Sequence, residues 1–274
     1  MYTLNCKGRL LVIDQPVVMG ILNLTPDSFY SGSRHPDPDD VLLQAERMIR
    51  DGATILDIGG QSTRPGSARI TEEEELERVI GSIATISQNF PGVYISIDSF
   101  YARVAREAVN AGACIVNDIS AGSIDPYMIS TVATLNVPYV LMHMKGTPQT
   151  MPGQAHYENV TREVLDFLSQ KMITVRSAGI TDIIIDPGFG FAKTISHNFE
   201  LLKNLEVFNI LDAPLLLGLS RKSMVYKTLN ITAEEALNGS IVLQTMGISK
   251  GASIIRTHDV KETLQAITLL QKMA

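Results

Sequence analysis

The side chains best suited to chemistry stand where short apolar runs end. Asp98, Asn117 and Asp186 each close such a run. Buried side by side without partners, they would lose free energy through desolvation and like-charge repulsion. We therefore predict a ligand rich in hydrogen-bond donors, such as a heterocycle edge with two parallel N–H groups that one carboxylate can hold. Alternatively Asp98 and Asp186 only cap helices, but three such residues together favour a site.

Basic residues follow two later runs. Lys222, in GLSRKS, can form a Schiff base, bind phosphate or donate to a carbonyl, and the nearby carboxylates should keep it charged, unlike an aldolase lysine. Arg221 is interpreted as a solvated neighbour. Ser223 should begin a helix, where its hydroxyl and free N–H groups can hold a carboxylate. Arg256 and His258 are candidates for phosphate binding, and Arg256 also for stacking on a flat ring.

Two loops could serve a phosphate group. The segment 58–67, IGGQSTRPGS, contains glycines and Arg64, a composition that suits closure over a phosphate. The segment 23–29, NLTPDSF, offers Asn23 or Asp27 as an oxygen ligand for Mg²⁺. The sequence therefore predicts a phosphate-bearing ligand and a divalent cation.

Two further features are interpreted as structural. In DPGFGFAKT, Ala192 replaces the glycine that precedes the lysine of a P-loop, which argues against nucleotide binding, and a helix should be capped at Thr194. His143 has no catalytic context and should be packed or hydrogen-bonded.

The elements that must position these residues are eight apolar runs separated by segments with helix signals. Runs of this length suit strands buried on both faces, and barrel enzymes keep their active site at the carboxyl ends of such strands. We therefore predict one (β/α)8 TIM-barrel domain spanning residues 1–274. The runs are 17–22, 54–56, 93–97, 114–116, 139–142, 183–185, 215–219 and 254–255.

Residues 1–14 do not fit this alternation. The apolar segments 2–5 and 10–13 flank Cys6, Lys7 and Gly8 as the strands of a small hairpin would. We predict that this hairpin caps the amino-terminal mouth of the barrel.

Helix starts are predicted at two capping-box spacings, Thr71 with Glu74 and Thr232 with Glu235. The second would open a helix over 234–250. On that helix Leu237, Ile241 and Ile248 should face the barrel, while Val242 and Met246 fall on the opposite side. We interpret the opposite side as a homodimer interface in preference to a face covered within the monomer.

Composition limits the partners and the compartment. A hydrophobic content of 45% and a charged content of 19% support a sizeable core, and the net charge of −6 disfavours nucleic acid and anionic membranes. Cys6 and Cys114 form neither a disulfide framework nor a metal cluster, which favours the cytoplasm. We expect a soluble protein, because no signal peptide or membrane span is recognisable.

Eight motifs together resemble one family. NLTPDSF, GGQSTRPGS, IDSF, NDIS, LMHM, DPGFGF, SRKS and RTHDV occur in the order and strand-end positions of the dihydropteroate synthases, from Val17 to the end. The resemblance implies a transferase of folate biosynthesis that joins p-aminobenzoate to 6-hydroxymethyl-7,8-dihydropterin diphosphate, with Mg²⁺, and that sulfonamides compete with p-aminobenzoate. The products would be 7,8-dihydropteroate and diphosphate.

The resemblance also implies a role for each matching residue. The catalytic residues would be Lys222, Arg64, Arg256 and His258. The pterin would lie against Asp98, Asn117, Asp186, Met142, Lys222 and Arg256. The diphosphate and Mg²⁺ would be held by Asn23, Thr63, Arg64, Arg256 and His258, and the aminobenzoate pocket would be lined by Pro65, Phe191 and Ser223.

Two residues depart from the pattern of the family. Gln61 stands where the family often has glutamate, and Ser31 where an aspartate is common. The alternatives are a methyltetrahydrofolate:corrinoid methyltransferase barrel, a non-catalytic pterin- or folate-binding protein, and a sugar-phosphate aldolase. The STRPG, SRKS and RTHDV motifs speak against the first, and the acidic residues beside Lys222 speak against the last.

Overall fold

The computed structural model describes residues 1–25, 38–62, 67 and 69–273. Within these ranges the chain contains ten β-strands and nine α-helices. The strands β1 to β10 are Tyr2–Cys6, Arg9–Ile13, Val17–Asn23, Ile55–Gly59, Tyr94–Asp98, Ile115–Asp118, Tyr139–Met142, Ile183–Asp186, Leu216–Gly218 and Ile254–Thr257. The helices α1 to α9 are Pro38–Arg50, Glu72–Asn89, Ala102–Ala111, Met128–Leu135, Val160–Ser177, Ile195–Lys203, Ser223–Leu229, Leu237–Ser249 and Val260–Gln271.

The eight predicted runs form one parallel sheet. Its strand order is β8-β7-β6-β5-β4-β3-β10-β9. A parallel bridge between Ile185 and Leu215, with the amide of Ile185 donating to the carbonyl of Pro214 at 2.9 Å, joins the two ends. One helix follows each strand from β3 to β8, two follow β9 and one follows β10. The predicted (β/α)8 TIM barrel is therefore confirmed.

Side chains alternate between the barrel interior and the helix layer along each strand. On β4, Leu56 and Ile58 belong to the core under the helices, whereas Ile55 lies in the cluster inside the barrel. On β10, Ile255 faces the helices and Ile254 faces inward. Within each strand, the inward-facing residue that comes next, two positions later, lies at the carboxyl end of the barrel.

The amino-terminal mouth carries the predicted hairpin. Strands β1 and β2 pair antiparallel around a two-residue turn at Lys7 and Gly8, both with positive φ, as a tight hairpin turn requires. Leu4 and Leu11 are buried in one cluster with interior residues of β3, β4, β6 to β10. The hairpin therefore closes this end of the barrel with apolar contacts.

One of the two predicted helix starts is confirmed. The hydroxyl of Thr71 accepts a hydrogen bond from the amide of Glu74 at 3.2 Å and caps α2. The other is wrong, because the amide of Thr232 donates to the carboxylate of Glu235 at 2.9 Å within a turn, and α8 begins only at Leu237.

The barrel-facing side of α8 also differs from the prediction. Ser240, Gln244 and Gly247 are its buried residues, whereas the predicted apolar side is only partly buried. A Cβ atom added to Gly247 would lie 2.2 Å from Cδ2 of Leu217. The helix packs so closely on β9 that small residues occupy the contact, a distance that helix periodicity cannot predict.

The opposite side of α8 is open. Val242 and Met246 are 59% and 47% exposed. Their exposure agrees with the predicted outward side, while the dimer itself stays a prediction. None of the described helices is both long and apolar enough for a bilayer span.

Candidate active site

A charged cluster fills the carboxyl end of the barrel, with Arg256 of β10 at its centre. Its Nε donates to Oδ2 of Asp57 at 2.6 Å, and its Nη2 donates to Oδ2 of Asp98 at 2.7 Å. The amide of Asn117 also donates to Oδ2 of Asp57, at 3.0 Å. The carboxylates of Asp57 and Asp98 thus have hydrogen-bond donors within the chain itself.

Burial changes the ionisation of this cluster. It raises the pKa of Asp98 to about 7, although the Arg256 guanidinium opposes the shift. Burial by itself would lower the pKa of Arg256, but the carboxylates of Asp57 and Asp98 raise this pKa above its ordinary value. The site therefore holds a fixed cation beside a carboxyl group that can be either ionised or neutral near neutral pH.

Asp186, at the end of β8, turns toward the loop that follows it. Its Oδ1 accepts a hydrogen bond from the amide of Gly188 in the loop at 2.7 Å, whereas the helix that follows, α6, is capped by Thr194, so Asp186 is not a helix cap. Burial raises its pKa, and the ammonium group of Lys222 opposes that shift. Asp186 is thus near the same lysine that the sequence placed in the site.

Lys222 precedes α7 and reaches across to the loop after β8. Its Nζ donates to the carbonyl of Phe189 and lies 4.6 Å from the centroid of the Phe191 ring. Burial lowers the pKa of Lys222 to about 8, against the opposing effect of Asp186. Burial thus outweighs the carboxylates in setting this pKa, but a pKa of about 8 still leaves the ammonium form in the majority at pH 7, as expected. Ser223 is the first residue of α7, as predicted.

The loops after β9 and β10 are fastened to each other. The Ser220 hydroxyl and Nδ1 of His258 are 3.0 Å apart. Arg221 forms an ion pair with Asp259 at 2.6 Å, so its interpretation as a merely solvated residue is wrong. The two contacts set His258 and Arg256 in a fixed relation to Lys222.

An apolar patch lies beside the charges. Met142, at the end of β7, is buried with Phe100 and Ile119, and the partly buried Phe191 packs against the same cluster. Met142 therefore supplies apolar surface at the carboxyl end, as its predicted position beneath a flat ring requires. His143 is buried and bonded to Lys193, in agreement with its structural interpretation.

Asn23 lies at the same end of the barrel, but several other predicted residues are not described. Asn23 ends β3 and is half-buried. Thr63, Arg64 and Pro65, like Asp27 and Ser31, lie outside the described residues. The departure at Gln61 is buried, and its Oε1 accepts a hydrogen bond from the amide of Ile70 at 3.0 Å.

Asp57 is the functional candidate that the sequence reasoning missed. It is completely buried and contacts both Arg256 and Asn117. Its Oδ1 has no hydrogen-bond partner in the described part of the chain. The signal was available, because strand alternation puts Asp57 inward, two residues after the interior residue Ile55.

The arrangement can recognise a flat polar ring. Carboxylates and an amide line one edge, Arg256 and Lys222 supply cations, and Met142 and Phe191 supply apolar surface. Among the described residues no three His, Cys, Asp or Glu side chains are grouped to hold a metal ion.

Comparison with known proteins agrees with this geometry. A family model described as "Pterin binding enzyme" matches residues 19–258. The chain is 43% identical over 267 residues to the dihydropteroate synthase of Escherichia coli K12, covering 97% of this chain and 94% of that protein. The Xanthomonas albilineans dihydropteroate synthase with 4-aminobenzoic acid has a TM-score of 0.93 and 40% identity, covering 99% of this chain and 97% of that one. The Yersinia pestis dihydropteroate synthase in a sulfonamide drug complex has a TM-score of 0.93 and 39% identity, covering 99% and 98%. The chain belongs to the dihydropteroate synthase family.

Proposed function

We propose that the charged cluster is where this dihydropteroate synthase condenses 6-hydroxymethyl-7,8-dihydropterin diphosphate with p-aminobenzoate. The products are 7,8-dihydropteroate and diphosphate. The observation that carries the proposal is the contact of Arg256 with Asp57 and Asp98 at the carboxyl end of the barrel. Arg256 presents N–H donors to two carboxylates, and the N–H groups of a pterin edge can present the same kind of donor.

The pterin ring is proposed to enter this cluster with its N–H edge toward Asp98, Asn117 and Asp186. Arg256 then releases Asp98 and stacks on the ring face, while Asp57 retains it through Nε. Lys222 donates to the pterin carbonyl and Met142 packs beneath the ring. The burial of the carboxyl groups supports this proposal. When Arg256 moves away from Asp98, the buried carboxylate needs another hydrogen-bond donor, and the N–H edge of the pterin can supply it.

The diphosphate is proposed to lie toward Asn23, Arg256 and His258. Thr63 and Arg64 keep their predicted roles there as proposals. The amide oxygen of Asn23 suits Mg²⁺, which prefers oxygen ligands and commonly takes the rest from substrate phosphates and water. When bound, Mg²⁺ would neutralise charge on the diphosphate. The absence of a three-residue metal cluster among the described side chains agrees with a metal held mainly by substrate.

The chemistry proposed is displacement of diphosphate by the aryl amine. The C–O bond to diphosphate breaks, the amine nitrogen forms the new C–N bond, and the amine loses a proton. Arg256 and His258 stabilise the charge that develops on the departing oxygen. Buried carboxylates near the ring stabilise the positive charge that a dissociative step leaves on the pterin, with Phe191 and Ser223, and Pro65 by resemblance, lining the aminobenzoate pocket.

The direct test is to incubate the protein with pterin diphosphate, p-aminobenzoate and Mg²⁺ and to follow diphosphate and dihydropteroate. Lys222→Met should lower kcat/KM by about 100-fold or more, since a buried charged donor is lost. Lys227→Met, at an exposed position on the same helix, is the matched control and should leave the rate unchanged. Formation of no product by the unmodified protein would overturn the proposal.

The assembly is proposed to be a homodimer through the open side of α8. Val242 and Met246 support this, because exposed apolar side chains on a barrel helix suit a partner surface. Val242→Lys should shift the protein to monomer in sedimentation velocity, while an unmodified protein that sediments only as monomer would contradict it. We also infer that residues 1–274 work as one domain.

The proposed compartment is the cytoplasm. Cys6 and Cys114 are both free and buried. Neighbouring buried thiols suit a reducing compartment.

A further inference from the structure

The loop between β8 and α6, residues 187–194, is bound by two lysines. Lys222 reaches the carbonyl of Phe189 from the β9 side. Lys193 folds back on its own loop, and its Nζ lies 2.9 Å from the carbonyl oxygen of Gly188 and 3.1 Å from that of Phe191. The loop backbone is thus held at three carbonyl groups by two cationic side chains, of which the proposed mechanism uses only one.

A third contact of Lys193 lies on the neighbouring strand. Its Nζ is 3.0 Å from Nδ1 of His143, which directly follows β7. Burial lowers the pKa of His143 to about 2, with a further lowering from Lys193 and Lys145, so the imidazole is neutral. A neutral imidazole carries its proton on one nitrogen only, so Nδ1 either accepts from a charged Lys193 or donates to its neutral amine. Lys193 therefore joins the loop after β8 to the end of β7.

Lys193 can make its three contacts in either ionisation state. An ammonium group has three N–H donors, whereas a neutral amine has two. Gly188 and Phe191 supply two carbonyl acceptors, and His143 supplies a ring nitrogen, all within 3.1 Å of Nζ. Burial lowers the pKa of Lys193, and Asp186 opposes that shift. A charged lysine donates all three hydrogen bonds, whereas a neutral one donates two and accepts the third from Nδ1–H of His143. Lys193 joins the loop to the end of β7 in both forms.

The loop backbone leaves little freedom around this contact. A Cβ added to Gly188 would lie 1.9 Å from the carbonyl oxygen of His143, and one added to Gly190 would lie 3.0 Å from Cδ of Lys222. The amide of Gly190 also donates to Oδ1 of Asn198 at 2.7 Å. The loop is therefore clamped between β7 and α7, and the contacts of Lys193 set where the Phe191 ring stands over Lys222.

We propose that Lys193 is a positioning residue for p-aminobenzoate. Its contacts with His143, Gly188 and Phe191 hold the Phe191 ring in the position in which it lines the aminobenzoate pocket. The inference rests on the proposed function, in which Phe191 lines that pocket. Lys193 itself touches neither substrate. Losing it should therefore disturb the aminobenzoate subsite much more than the pterin subsite, which is built from strand ends.

The test compares Lys193→Met with the unmodified enzyme under saturating Mg²⁺. We expect KM for p-aminobenzoate to rise about tenfold, while KM for pterin diphosphate stays within about twofold. Lys203→Met is the matched control, because Lys203 is exposed at the last position of α6, the helix that follows this loop. Unchanged constants, or an equal loss in both KM values and kcat, would overturn the inference.

A second pair of variants tests the same contact if Lys193→Met does not fold. His143→Leu removes the ring nitrogen that Lys193 contacts and should raise KM for p-aminobenzoate without raising KM for pterin diphosphate. His143→Asn places a polar amide group near the former position of Nδ1 and should restore KM for p-aminobenzoate toward its unmodified value. A His143→Leu enzyme with unmodified constants would refute the inference. An unmodified protein that makes no dihydropteroate would instead refute the proposed function, so the two failures are distinguishable.

Discussion

The two ends of the barrel are built from the same strands and have opposite character. At the amino end, Ile55 and Ile254 pack with the hairpin in an apolar cluster. Two residues further along the same strands, Asp57 and Arg256 form a buried ion pair. Since successive inward residues are about 7 Å apart, one step along a strand separates stabilising contacts from charged ones. The inward residues at the amino end therefore stabilise the fold, and those at the carboxyl end carry the charged groups of the site.

The free energies at the two ends differ in sign as well. Apolar burial at the hairpin favours folding. Burial of the carboxyl groups at the other end opposes their ionisation, which raises the pKa of both Asp98 and Asp186. Pairing with Arg256 offsets part of that cost. The charged end is thus retained at the expense of stability, as a binding site requires.

The largest effect should follow the loss of the central cation. Arg256→Met leaves Asp57 and Asp98 without their shared partner, so we expect a loss of about 3–5 kcal/mol in the free energy of unfolding and a fall in kcat/KM of about 100-fold or more. Urea unfolding and steady-state kinetics measure the two effects.

The double variant Arg256→Met with Asp57→Asn separates these effects. It should regain part of the stability, because one buried carboxylate is removed, but none of the activity. Full activity in Arg256→Met would break the comparison, since the charged end would then have no role in chemistry.

The second effect tests the apolar end. Leu4→Ala opens a cavity under the hairpin and should cost about 2–4 kcal/mol of unfolding free energy with kcat unchanged. Leu10→Ala is the matched control on the opposite face of the same hairpin, where Leu10 is 62% exposed, and should cost about 0.5 kcal/mol or less. A Leu4→Ala enzyme with intact stability and reduced kcat would reverse the assigned roles of the two ends.

The smallest effect concerns a carboxyl group behind the charged end. Glu75 of α2 is completely buried and accepts a hydrogen bond from the hydroxyl of Ser99 at 3.0 Å. Burial raises its pKa from 4.5 to about 8. As pH rises between these values, the unfolded chain loses a proton that the folded chain keeps, so folding loses stability.

Glu75→Gln should remove this dependence. The stability of the unmodified protein should fall relative to that of Glu75→Gln by roughly 3 kcal/mol or less between pH 5 and pH 7, measured by urea unfolding at each pH. Glu77→Gln, at an exposed position on the same helix, should retain the unmodified slope. Parallel curves of stability against pH for Glu75→Gln and the unmodified protein would show that burial of Glu75, outside the barrel interior, does not lower the stability of the fold as pH rises.

Local features were predictable where one segment decides the outcome. The turn at Lys7 and Gly8 and the cap at Thr71 depend on neighbours within a few residues. Asp98, Asn117 and Asp186 were recognised because each ends an apolar run. Two failed predictions involve the distance between segments: the close approach of α8 to Leu217 and the pairing of Arg221 with Asp259. The helix start predicted at Thr232 failed although it is local, because the same side-chain bond forms in a turn before α8.

The sequence by itself determined the barrel, the hairpin and the end at which polar residues gather, because apolar run length and strand alternation are local properties. Tertiary structure alone decided which polar groups become partners. Arg256 is 199 residues away from Asp57 along the chain, and Lys193 is 50 from His143. Barrel closure brings such residues within hydrogen-bond distance, and burial there shifts their pKa values. No local pattern specifies either effect, because both depend on which strands become neighbours and how deeply each group is enclosed.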